Sequence, residues 1–584
     1  MRSAAFSCDG AAVPSEWRDI PRHSLLSDGL ASNISIRLDG FESIAPAEVD
    51  DLGHDLVRIA SYVYCADQEV SRGGESDVML EDWRRDMRLA VPVTHVATWS
   101  NPAVKGALIQ ALNFVSEDYW DFHFEPRSTV RVAAEQAALD WADPRPPDVV
   151  ALISGGLDSA ASTFAVCAEE GARPLLVSHR PSPVVAHHQN AVIDRLKEKF
   201  PTWWFPTASP WINRKSGDPP ESTQRTRSFL FVAIAAALAS ALGIRRVLAS
   251  DNGVVSLNIP INEQLVGARA SRSTHPKFIW RFNQLSAAIW GSASPVVENT
   301  LLYRTREDVA SMVAKYAGPT LIRETVSCQS PYRRPASIKH CGVCSQCVGR
   351  RFATLAAGLA DYDSPDGYAV DIFADELKDG IDVTVPVSFV RFAGQILDSN
   401  EEQFWADHEE CGDAILPDDR DSGRTAAALI ATLRRHADGV VRVMREQVVA
   451  HSTEIATGAL PARSLISLMQ AAAPTSFALN QGRRFHLSDD LADLSWRGKH
   501  YVLSGDEGRV VKFLYDQLKK GSPNVRTSTL RARLGLSPDH RFDHTFVDDN
   551  RGLWKQGDSL IVGTKARDVV RLNEEIIPSP TNNS

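Results

Sequence analysis

The chain has 584 residues, of which 43% are apolar and 23% charged, a composition typical of a folded globular protein and not of a disordered or fibrous one. This length suffices for roughly three or four domains of ~150 residues each. The formal net charge of −10 argues against broad, charge-driven binding to a nucleic-acid backbone, because such binding needs a clustered positive surface.

Two stretches bear on the location of the protein. The first residues lack the apolar core of a signal peptide. The longest uncharged apolar run, residues 229–244, is rich in alanine and shorter than the ~20 residues of a membrane-spanning helix. We therefore expect a cytoplasmic protein in which this run forms a buried helix packed on a sheet.

Residues 1–141 are predicted to form an α+β domain. Alternating segments predict strands and segments with helical spacing predict helices, namely strands at 33–38, 88–95 and 119–124 and helices at 49–63 and 102–114. The proline-rich segment 142–148 is predicted to be the linker that ends this domain.

From Val149 onward the pattern changes to repeated strand–helix units. Strands are predicted at 149–153, 173–178 and 245–250, and helices at 160–170, 189–200 and 229–244. This alternation predicts an α/β fold with a doubly wound parallel sheet over residues 148–360. Ligands of such sheets bind at the carboxyl ends of the strands.

The rest of the chain is predicted to be a helical region over 361–500, with an acidic, loop-like stretch at 400–424, followed by a winged helix over 501–575. The winged-helix prediction rests on helices at 507–519 and 527–534 and on a hairpin at 554–562. Its basic residues, Arg526, Arg531 and Arg533, suit DNA. Four aspartates follow them closely, so docking of a partner protein is the preferred interpretation.

A glycine-rich motif directly follows the first strand of the α/β segment and leads into a helix. It consists of Ser154, Gly155, Gly156, Leu157, Asp158 and Ser159. Adjacent glycines allow a sharp turn and close approach to a ligand, and the helix N-terminus offers free amides to an anion. The serines add hydroxyl donors, and Asp158 is expected to act through Mg²⁺ or by capping the loop.

This motif is not a Walker loop, because no Gly-Lys-Ser/Thr follows it. It resembles the loop of the PP-loop ATP pyrophosphatases, a family that splits ATP between the α and β phosphates. The resemblance implies that a substrate oxygen attacks the α-phosphate, giving an adenylated intermediate and pyrophosphate. A nitrogen or sulfur nucleophile then displaces AMP.

Four of the eight cysteines fall within twenty residues, namely Cys328, Cys341, Cys344 and Cys347. In a reducing compartment such a cluster indicates a metal site and not a disulfide framework. Two Cys-x-x-Cys steps and a distant fourth thiolate can close a tetrahedral zinc site of structural role. Iron–sulfur ligation is the alternative, and zinc is the preferred interpretation.

The order of phosphate loop, basic helix start and four cysteines resembles the 7-cyano-7-deazaguanine synthase (QueC) family over residues 148–360. Segments 225–231, 250–253 and 303–309 add to the likeness. That family uses ATP to activate the carboxylate of 7-carboxy-7-deazaguanine, and ammonia as the nucleophile. The resemblance implies that this chain binds ATP, Mg²⁺ and Zn²⁺ and activates a carboxylate on a deazaguanine-type base.

Residue roles follow from the motif and the resemblance together. We expect Asp158, Ser159 and Arg227 to be catalytic. The loop from Ser154 to Ser159, with Ser178, His179 and Asp251, is expected to bind the nucleotide. Of Arg225 and Arg227, one is expected to face a phosphate or carboxylate, and a solvated helix cap is the alternative.

The chain departs from the family pattern at several places. Ser178-His179-Arg180-Pro181 stands where the synthases have an acidic-aromatic-glycine sequence. Residues 266–276, rich in basic and hydroxyl groups, suit either an anionic acceptor or a solvated loop. The additional domains resemble large QueC-like proteins of bacterial antiviral systems, including those of Qat type. There the implied chemistry attaches a deazaguanine to a protein or nucleic acid, with a partner from a defence operon.

Other side chains have two interpretations each. For His179 and Arg180, contact with a ligand and absence of such contact are equally weighted interpretations. His187 and His188 are expected in a surface loop. A tryptophan group in a proline-rich segment can stack on a base or anchor a loop, namely Trp203, Trp204 and Trp211. Three alternative functions stay open: a free 7-cyano-7-deazaguanine synthase, a PP-loop tRNA sulfur-transfer enzyme, and a non-catalytic nucleotide-sensing scaffold.

Overall fold

The N-terminal part of the chain forms a four-stranded sheet in which all neighbouring strands are parallel. The strands are β1 (Arg2–Cys8), β2 (Arg22–Leu25), β4 (Arg85–Val93) and β5 (Tyr119–Pro126), in the order β2-β1-β4-β5, and β3 (Ile34–Arg37) lies outside this sheet. Its helices are α1 (Asp51–Glu69), α2 (Val96–Trp99) and α3 (Pro102–Ser116). The strands and helices predicted for this part are present.

The chain then enters a five-stranded parallel sheet with the order β11-β10-β6-β7-β8. The strands are β6 (Val149–Leu152), β7 (Pro174–Val177), β8 (Thr207–Ala208), β10 (Arg246–Leu248) and β11 (Val296–Glu298), and β9 (Trp211–Arg214) instead pairs antiparallel with β3. The α/β class and the parallel sheet are confirmed, and the arrangement is compatible with a Rossmann-like fold.

Helices cover both faces of the second sheet. They are α4 (Leu157–Ala165), continued by a π-helical turn to Glu170, α5 (Pro183–Lys199), α6 (Arg227–Ala241), α7 (Gly253–Leu257), α8 (Pro276–Trp290), α9 (Arg306–Tyr316) and α10 (Thr320–Glu324). Helix α6 is apolar around its whole circumference, as expected of a helix buried on every side. His187 and His188 lie on α5 and not in a loop, so that expectation is wrong.

The two sheets share one hydrophobic core. Helix α1 packs against α6, and α3 packs against α8, so paired helices fill the space between the sheets. Phe229 and Phe282 meet in this core with ring centroids 5.7 Å apart. The first sheet and one face of the second are therefore parts of one packed body.

A helical segment follows the cysteine cluster and builds a core of its own. Its helices are α11 (Ser345–Ala356), α12 (Ile381–Asp398), α13 (Glu401–Asp407), α14 (Ser422–Ala450), α15 (Ser452–Thr457) and α16 (Leu465–Ala471). Helix α14 packs against α12, α11 and α7. The acidic stretch 400–424 contains α13 and a 3₁₀ turn as well as loop.

Residues 1–469 form one compact unit and residues 470–584 a second. The described residues of the second unit include two three-stranded antiparallel sheets and two helices, namely β12 (Phe485–Leu487), β13 (Asp493–Trp496), β14 (Lys499–Val502), α17 (Gly505–Lys519), β15 (Val525–Arg526), α18 (Thr527–Leu534), β16 (Ile561–Gly563) and β17 (Val569–Leu572). Most of the predicted 554–562 hairpin lies outside the described residues, and the winged helix stays a prediction.

The computed structural model describes the chain except for residues 1, 38–48, 73–83, 128–144, 180–182, 216, 218, 222, 260–271, 330–334, 336, 379, 472–484, 488–492, 497–498, 520–523, 535, 538–540, 543–544, 547–552, 554–559, 564–568 and 573–584. The predicted roles of Arg180 and of most of segment 266–276 therefore fall outside the described residues, as do residues 142–144 of the predicted 142–148 linker. Within the described part, none of the helices has the length and apolar character needed to cross a membrane.

Candidate functional site at the sheet switch point

The strand order of the second sheet reverses at β6. From this central strand the chain first moves outward to β7 and β8, and later returns to place β10 on the other side of β6. Ligands of open parallel sheets bind in the crevice outside the carboxyl ends of the strands at such a reversal. The segment after β6 is the glycine-rich motif, and the segment after β10 carries Asp251. The fold thus brings two predicted site segments together.

The glycine-rich loop adopts a backbone that requires glycine at its tightest point. Gly155 has φ +84°, and a Cβ there would lie 2.9 Å from the carbonyl carbon of His188 on α5. The Val326 amide donates to the Gly155 carbonyl oxygen at 3.2 Å. The loop is therefore held between α5 and the segment that leads into the cysteine cluster.

The two serines of the motif hydrogen bond to each other and to the loop backbone. Their hydroxyl oxygens are 3.0 Å apart, the Ser154 amide donates to Ser159 Oγ at 3.2 Å, and the Gly156 amide donates to Ser154 Oγ at 3.2 Å. Helix α4 begins at Leu157, so its first amides and its partial positive charge lie at this loop. Such an arrangement can bind an anion.

Asp158 lies in the first turn of α4 and is held by the segment after β10. Its Oδ1 accepts hydrogen bonds from the backbone amide of Asn252 at 2.9 Å and from the Asn252 side-chain amide at 2.7 Å. Asn252 in turn caps α7 by accepting from the Val255 amide at 3.1 Å. Asp158 Oδ2 has no hydrogen bond within the described residues, so one carboxylate oxygen is available to a ligand.

Asp251 lies beside Asp158, and its ionised form is disfavoured. Its Oδ2 accepts hydrogen bonds from Ser273 Oγ at 3.2 Å and from Thr274 Oγ1 at 2.9 Å. Burial, followed by repulsion from the Asp158 carboxylate, raises the pKa of Asp251 from 3.8 to about 6. The two carboxylates repel each other, and a divalent cation bound between them would reduce this repulsion.

Arg306, the first residue of α9, is a site residue that the sequence analysis missed. Its guanidinium interacts electrostatically with Asp158, Asp251 and the Cys344 sulfur, and its Nη1 donates to Gln346 Oε1 at 3.1 Å. Burial lowers its pKa. The sequence showed only that Arg306 stands in a basic segment, and nothing there indicated that this segment folds back onto the carboxylates.

The four clustered cysteines come together as predicted. Their Sγ atoms all lie within 4.8 Å of one another, with Cys341 and Cys347 at 3.9 Å. Four thiolates around one zinc at ~2.3 Å place neighbouring sulfurs about 3.8 Å apart. They form the one group of three or more potential metal ligands that the described residues contain. The cluster can hold a metal ion such as zinc.

The cysteine cluster is joined to the carboxyl edge of the second sheet by short connections. Val326, two residues before Cys328, contacts the glycine-rich loop, and Arg306 interacts with both the carboxylates and Cys344. Arg350, on the same helix α11 as Cys347, donates to Thr325 Oγ1 at 3.0 Å and pairs with Asp363 at 2.9 Å, and all three side chains are buried. The cluster therefore anchors the segment that lines one side of the loop.

Ser178 and His179 lie at the carboxyl end of β7, as expected, but both side chains are engaged inside the protein. Ser178 Oγ lies 2.8 Å from Ser209 Oγ, and His179 Nε2 lies 2.7 Å from the Ile212 carbonyl oxygen. Burial, followed by repulsion from Arg227, lowers the pKa of His179 to about 4, so the imidazole is neutral at pH 7.

The two arginines before α6 have different environments. Arg225 forms an ion pair with Glu117 at 2.8 Å and donates to the Ser116 carbonyl oxygen at 3.3 Å. The Arg227 side chain has no hydrogen bond or ion pair to any described residue, and its guanidinium lies 5.0 Å from the centroid of the Phe231 ring. Arg227 is thus the one of the pair that is available to an anion.

The predicted tryptophan group does not converge on this edge. Trp203 stacks on Phe200 with ring centroids 4.7 Å apart and lies under Arg173, and Trp211 belongs to the β3–β9 ribbon. These contacts anchor the Trp203 loop to its own sheet.

The chain matches no known family model, no curated protein and no solved structure. Arguments about its function therefore rest on its own residues and their geometry.

Proposed function

We propose that this protein is an ATP-dependent enzyme that adenylates a carboxylate and transfers the activated acyl group to a nitrogen nucleophile. The observation that carries the proposal is the meeting of Asp158 and Asp251 beside the glycine-rich loop at the switch point of the sheet. The loop offers amides and hydroxyls to phosphates, and Arg306 supplies a cation next to the carboxylates.

In the proposed reaction, a carboxylate oxygen of the substrate attacks the α-phosphorus of ATP. The bond between the α-phosphorus and the bridging oxygen breaks, and pyrophosphate leaves with that electron pair. A nitrogen lone pair then attacks the carbonyl carbon of the acyl adenylate, the bond to AMP breaks, and the nitrogen loses a proton. The resemblance to 7-cyano-7-deazaguanine synthases favours a 7-carboxy-7-deazaguanine-like substrate.

Mg²⁺ fits the carboxylate pair. Proteins bind Mg²⁺ through one or two carboxylates together with substrate phosphates, and Asp158 Oδ2 and Asp251 Oδ1 have no hydrogen bonds within the described residues. A bound Mg²⁺ would neutralise phosphate charge. Ser159 and the loop amides would position the phosphates, and Arg227 would bind a substrate oxyanion.

Zinc fits the cysteine cluster better than an iron–sulfur cluster does. Sulfur atoms within 4.8 Å of one another suit a single ion, whereas a cluster inserts several iron and sulfide atoms between its thiolates. The proposed role of zinc is structural, since four thiolates leave no open position.

The cysteine positions also disfavour sulfur transfer. Outside the cluster, Cys8, Cys65, Cys167 and Cys411 are all buried. Burial raises the pKa of Cys65 and Cys167 to about 12, so these thiols are neutral and poor nucleophiles at pH 7. A persulfide carrier needs an accessible thiolate.

The acceptor of the activated group is proposed to be a partner in bacterial antiphage defence, by resemblance to the large QueC-like proteins. A protein partner is favoured over nucleic acid because the chain is acidic overall. The proposed location is the cytoplasm.

The direct test is release of pyrophosphate from Mg²⁺-ATP in the presence of 7-carboxy-7-deazaguanine, with mass analysis of the products. Wild type should release pyrophosphate and form an acyl adenylate. Asp158→Asn should lower the rate by about 100-fold or more, because it removes charge where phosphate charge must be balanced. A variant with undiminished release, or a wild type that never releases pyrophosphate with any carboxylate, would contradict the proposal.

A further inference from the structure

Helix α1 of the N-terminal sheet reaches the first turn of α6. Asp67, near the end of α1, accepts hydrogen bonds from the backbone amide and the hydroxyl of Thr226, each at 3.0 Å. Thr226 is the residue before α6. The Asp67 carboxylate is fully buried and also pairs with Arg72 at 3.2 Å and with Arg85. This network fixes the beginning of α6 against the N-terminal sheet.

One turn before Asp67, α1 places Tyr64 in a cluster of side chains around Arg227. The Tyr64 ring meets the His179 ring edge-on with centroids 5.5 Å apart, and the ring centroids of His179 and Phe231 are also 5.5 Å apart. Arg227 lies over Phe231 and interacts electrostatically with Tyr64. We call these four residues the Arg227 cluster.

The Arg227 cluster holds a cation that the described protein does not neutralise. Arg225, Arg72 and Arg85 each pair with a carboxylate, whereas Arg227 pairs with no carboxylate of the described residues, and its buried Nε has no hydrogen-bond partner among them. His179 cannot supply a negative charge, because it is a neutral imidazole. An uncompensated, partly buried guanidinium is costly, which indicates that an anion binds there.

The cluster lies at the same sheet edge as the glycine-rich loop and is connected to it through α5. Gln189 Nε2 donates to the His179 carbonyl oxygen at 3.0 Å. Gly155 packs closely against the backbone of His188 and Gln189. A Cβ added at Gly155 would lie 2.9 Å from the His188 carbonyl carbon and 3.0 Å from the Gln189 nitrogen. An anion at Arg227 would therefore be near a nucleotide held by the loop.

We propose that α1 and α6 together form an oxyanion site, in which Arg227 binds a carboxylate or phosphate oxygen and Tyr64 donates a second hydrogen bond. The N-terminal sheet would then be part of the active site. Tyr64 currently donates to Gln224 Oε1 at 3.3 Å, a long contact that a charged acceptor would replace. Burial raises the pKa of Tyr64 to about 12, so its hydroxyl keeps the proton it donates. The proposed function supplies the identity of the oxyanion, but the existence of the site does not depend on it.

The test measures binding to the full-length protein by calorimetry, without catalysis. Two pairs of probes differ by one oxyanion each: 7-carboxy-7-deazaguanine against 7-deazaguanine, and AMP against adenosine. Wild type should prefer the anionic member of one pair by about tenfold to 100-fold, as expected for hydrogen bonds to a charged group. Preference within the first pair assigns the site to a carboxylate, and within the second to a phosphate.

Arg227→Gln should abolish that preference, Arg227→Lys should retain part of it, and Tyr64→Phe should reduce it by about tenfold. The matched control is Tyr62→Phe, which removes a buried hydroxyl of the same helix that contacts Asp9 instead. This control should lower the melting temperature and leave the preference unchanged. If Arg227→Gln does not fold, Tyr64→Phe and Arg227→Lys still decide the question.

A wild type without preference in either pair, or variants that keep the full wild-type preference, would overturn the proposal. Pyrophosphate release plays no part in this measurement. A failure of the adenylation proposal therefore leaves the binding result intact, and loss of binding preference leaves adenylation to its own test.

Discussion

At the scale of single residues, the candidate site at the carboxyl edge of the second sheet is marked by charges that the fold holds in unfavourable positions. Asp251 is half-buried beside Asp158, and Arg227 has no counter-ion among the described residues, whereas buried charges such as Arg225 and Asp67 are paired. Perturbed and unpaired ionisable groups in a crevice are typical of functional sites. The structure thus distinguishes charged residues that are paired within the fold from Asp251 and Arg227, the candidates for binding a ligand.

The repulsion between Asp158 and Asp251 leads to a prediction about how the stability of the protein depends on pH. The pKa of Asp251 is higher in the folded state than in the unfolded state, so protonation of Asp251 stabilises the folded state. This stabilisation is present at low pH and is lost as the pH rises from about 4 to about 6. Asp251→Asn removes the charge and should raise the free energy of unfolding at pH 7.5 by about 1–3 kcal/mol. Denaturant unfolding at several pH values measures this gain, which should shrink as the pH falls below about 6 and vanish near pH 4.

The same variant should lose pyrophosphate release, because a neutral amide cannot replace a carboxylate ligand of Mg²⁺. Asp366→Asn, at an exposed carboxylate far along the chain, serves as the control and should change neither property. A lower stability of Asp251→Asn at pH 7.5 would contradict the repulsion between the two carboxylates.

At the scale of elements, the site depends on how closely neighbouring segments approach the glycine-rich loop. Helix α5 leaves no space for a side chain at Gly155, and the segment around Val326 closes the other side. The cysteine cluster and the Arg350–Asp363 pair hold that segment in place. The loop is therefore shaped by elements far from it in sequence.

Gly155→Ala tests this close approach. The substitution combines a positive φ with a backbone clash at 2.9 Å, and we expect a loss of about 2–4 kcal/mol in the free energy of unfolding. Gly171→Ala is the matched control, since Gly171 has φ +66° and open space around its Cβ position. It should lose only about 1 kcal/mol. Equal losses measured by denaturant unfolding would show that the contact with α5 is unimportant.

The cysteine cluster makes a second prediction at this scale. Cys344→Ser should reduce bound metal from one ion per chain to nearly none and lower the free energy of unfolding by about 3 kcal/mol or more, because metal binding contributes folding energy. Metal analysis and thermal unfolding measure both effects. Cys411→Ser, at a buried cysteine outside the cluster, should keep the metal. Visible absorbance of the wild type would instead indicate an iron–sulfur cluster.

At the scale of the whole molecule, the N-terminal sheet and the second sheet are halves of one packed body, whereas residues 470–584 form a separate compact unit. Helices α6 and α8 bury their outward faces under α1 and α3. The N-terminal sheet thus covers apolar surface that the second sheet would otherwise expose to water.

This architecture predicts different outcomes for two truncations. A chain of residues 1–471 should fold and unfold cooperatively, because it contains the whole first unit. A chain of residues 145–471 should be insoluble or lack a cooperative transition, because Phe229, Phe278 and their neighbours would lose their cover. Circular dichroism during heating distinguishes the two. A soluble, cooperatively folded 145–471 chain would show that the N-terminal sheet is dispensable for folding.

The sequence by itself determined the local elements and the metal-ligand set. The glycine-rich motif, the strand–helix alternation after Val149 and the spacing of Cys328, Cys341, Cys344 and Cys347 are local patterns, and local patterns specify strands, turns and ligand spacing. The parallel second sheet and the convergence of the four cysteines were predicted correctly on this basis.

Only the tertiary structure decided which polar residues meet. Arg306 reaches Asp158 and Asp251 because α9 packs on α4, and Tyr64 reaches Arg227 because α1 packs on α6. These contacts join residues more than 50 positions apart, and no periodicity or spacing encodes them. Likewise, Arg225 and Arg227 look equivalent in sequence, but the fold pairs Arg225 with Glu117, whereas Arg227 has no ion pair among the described residues.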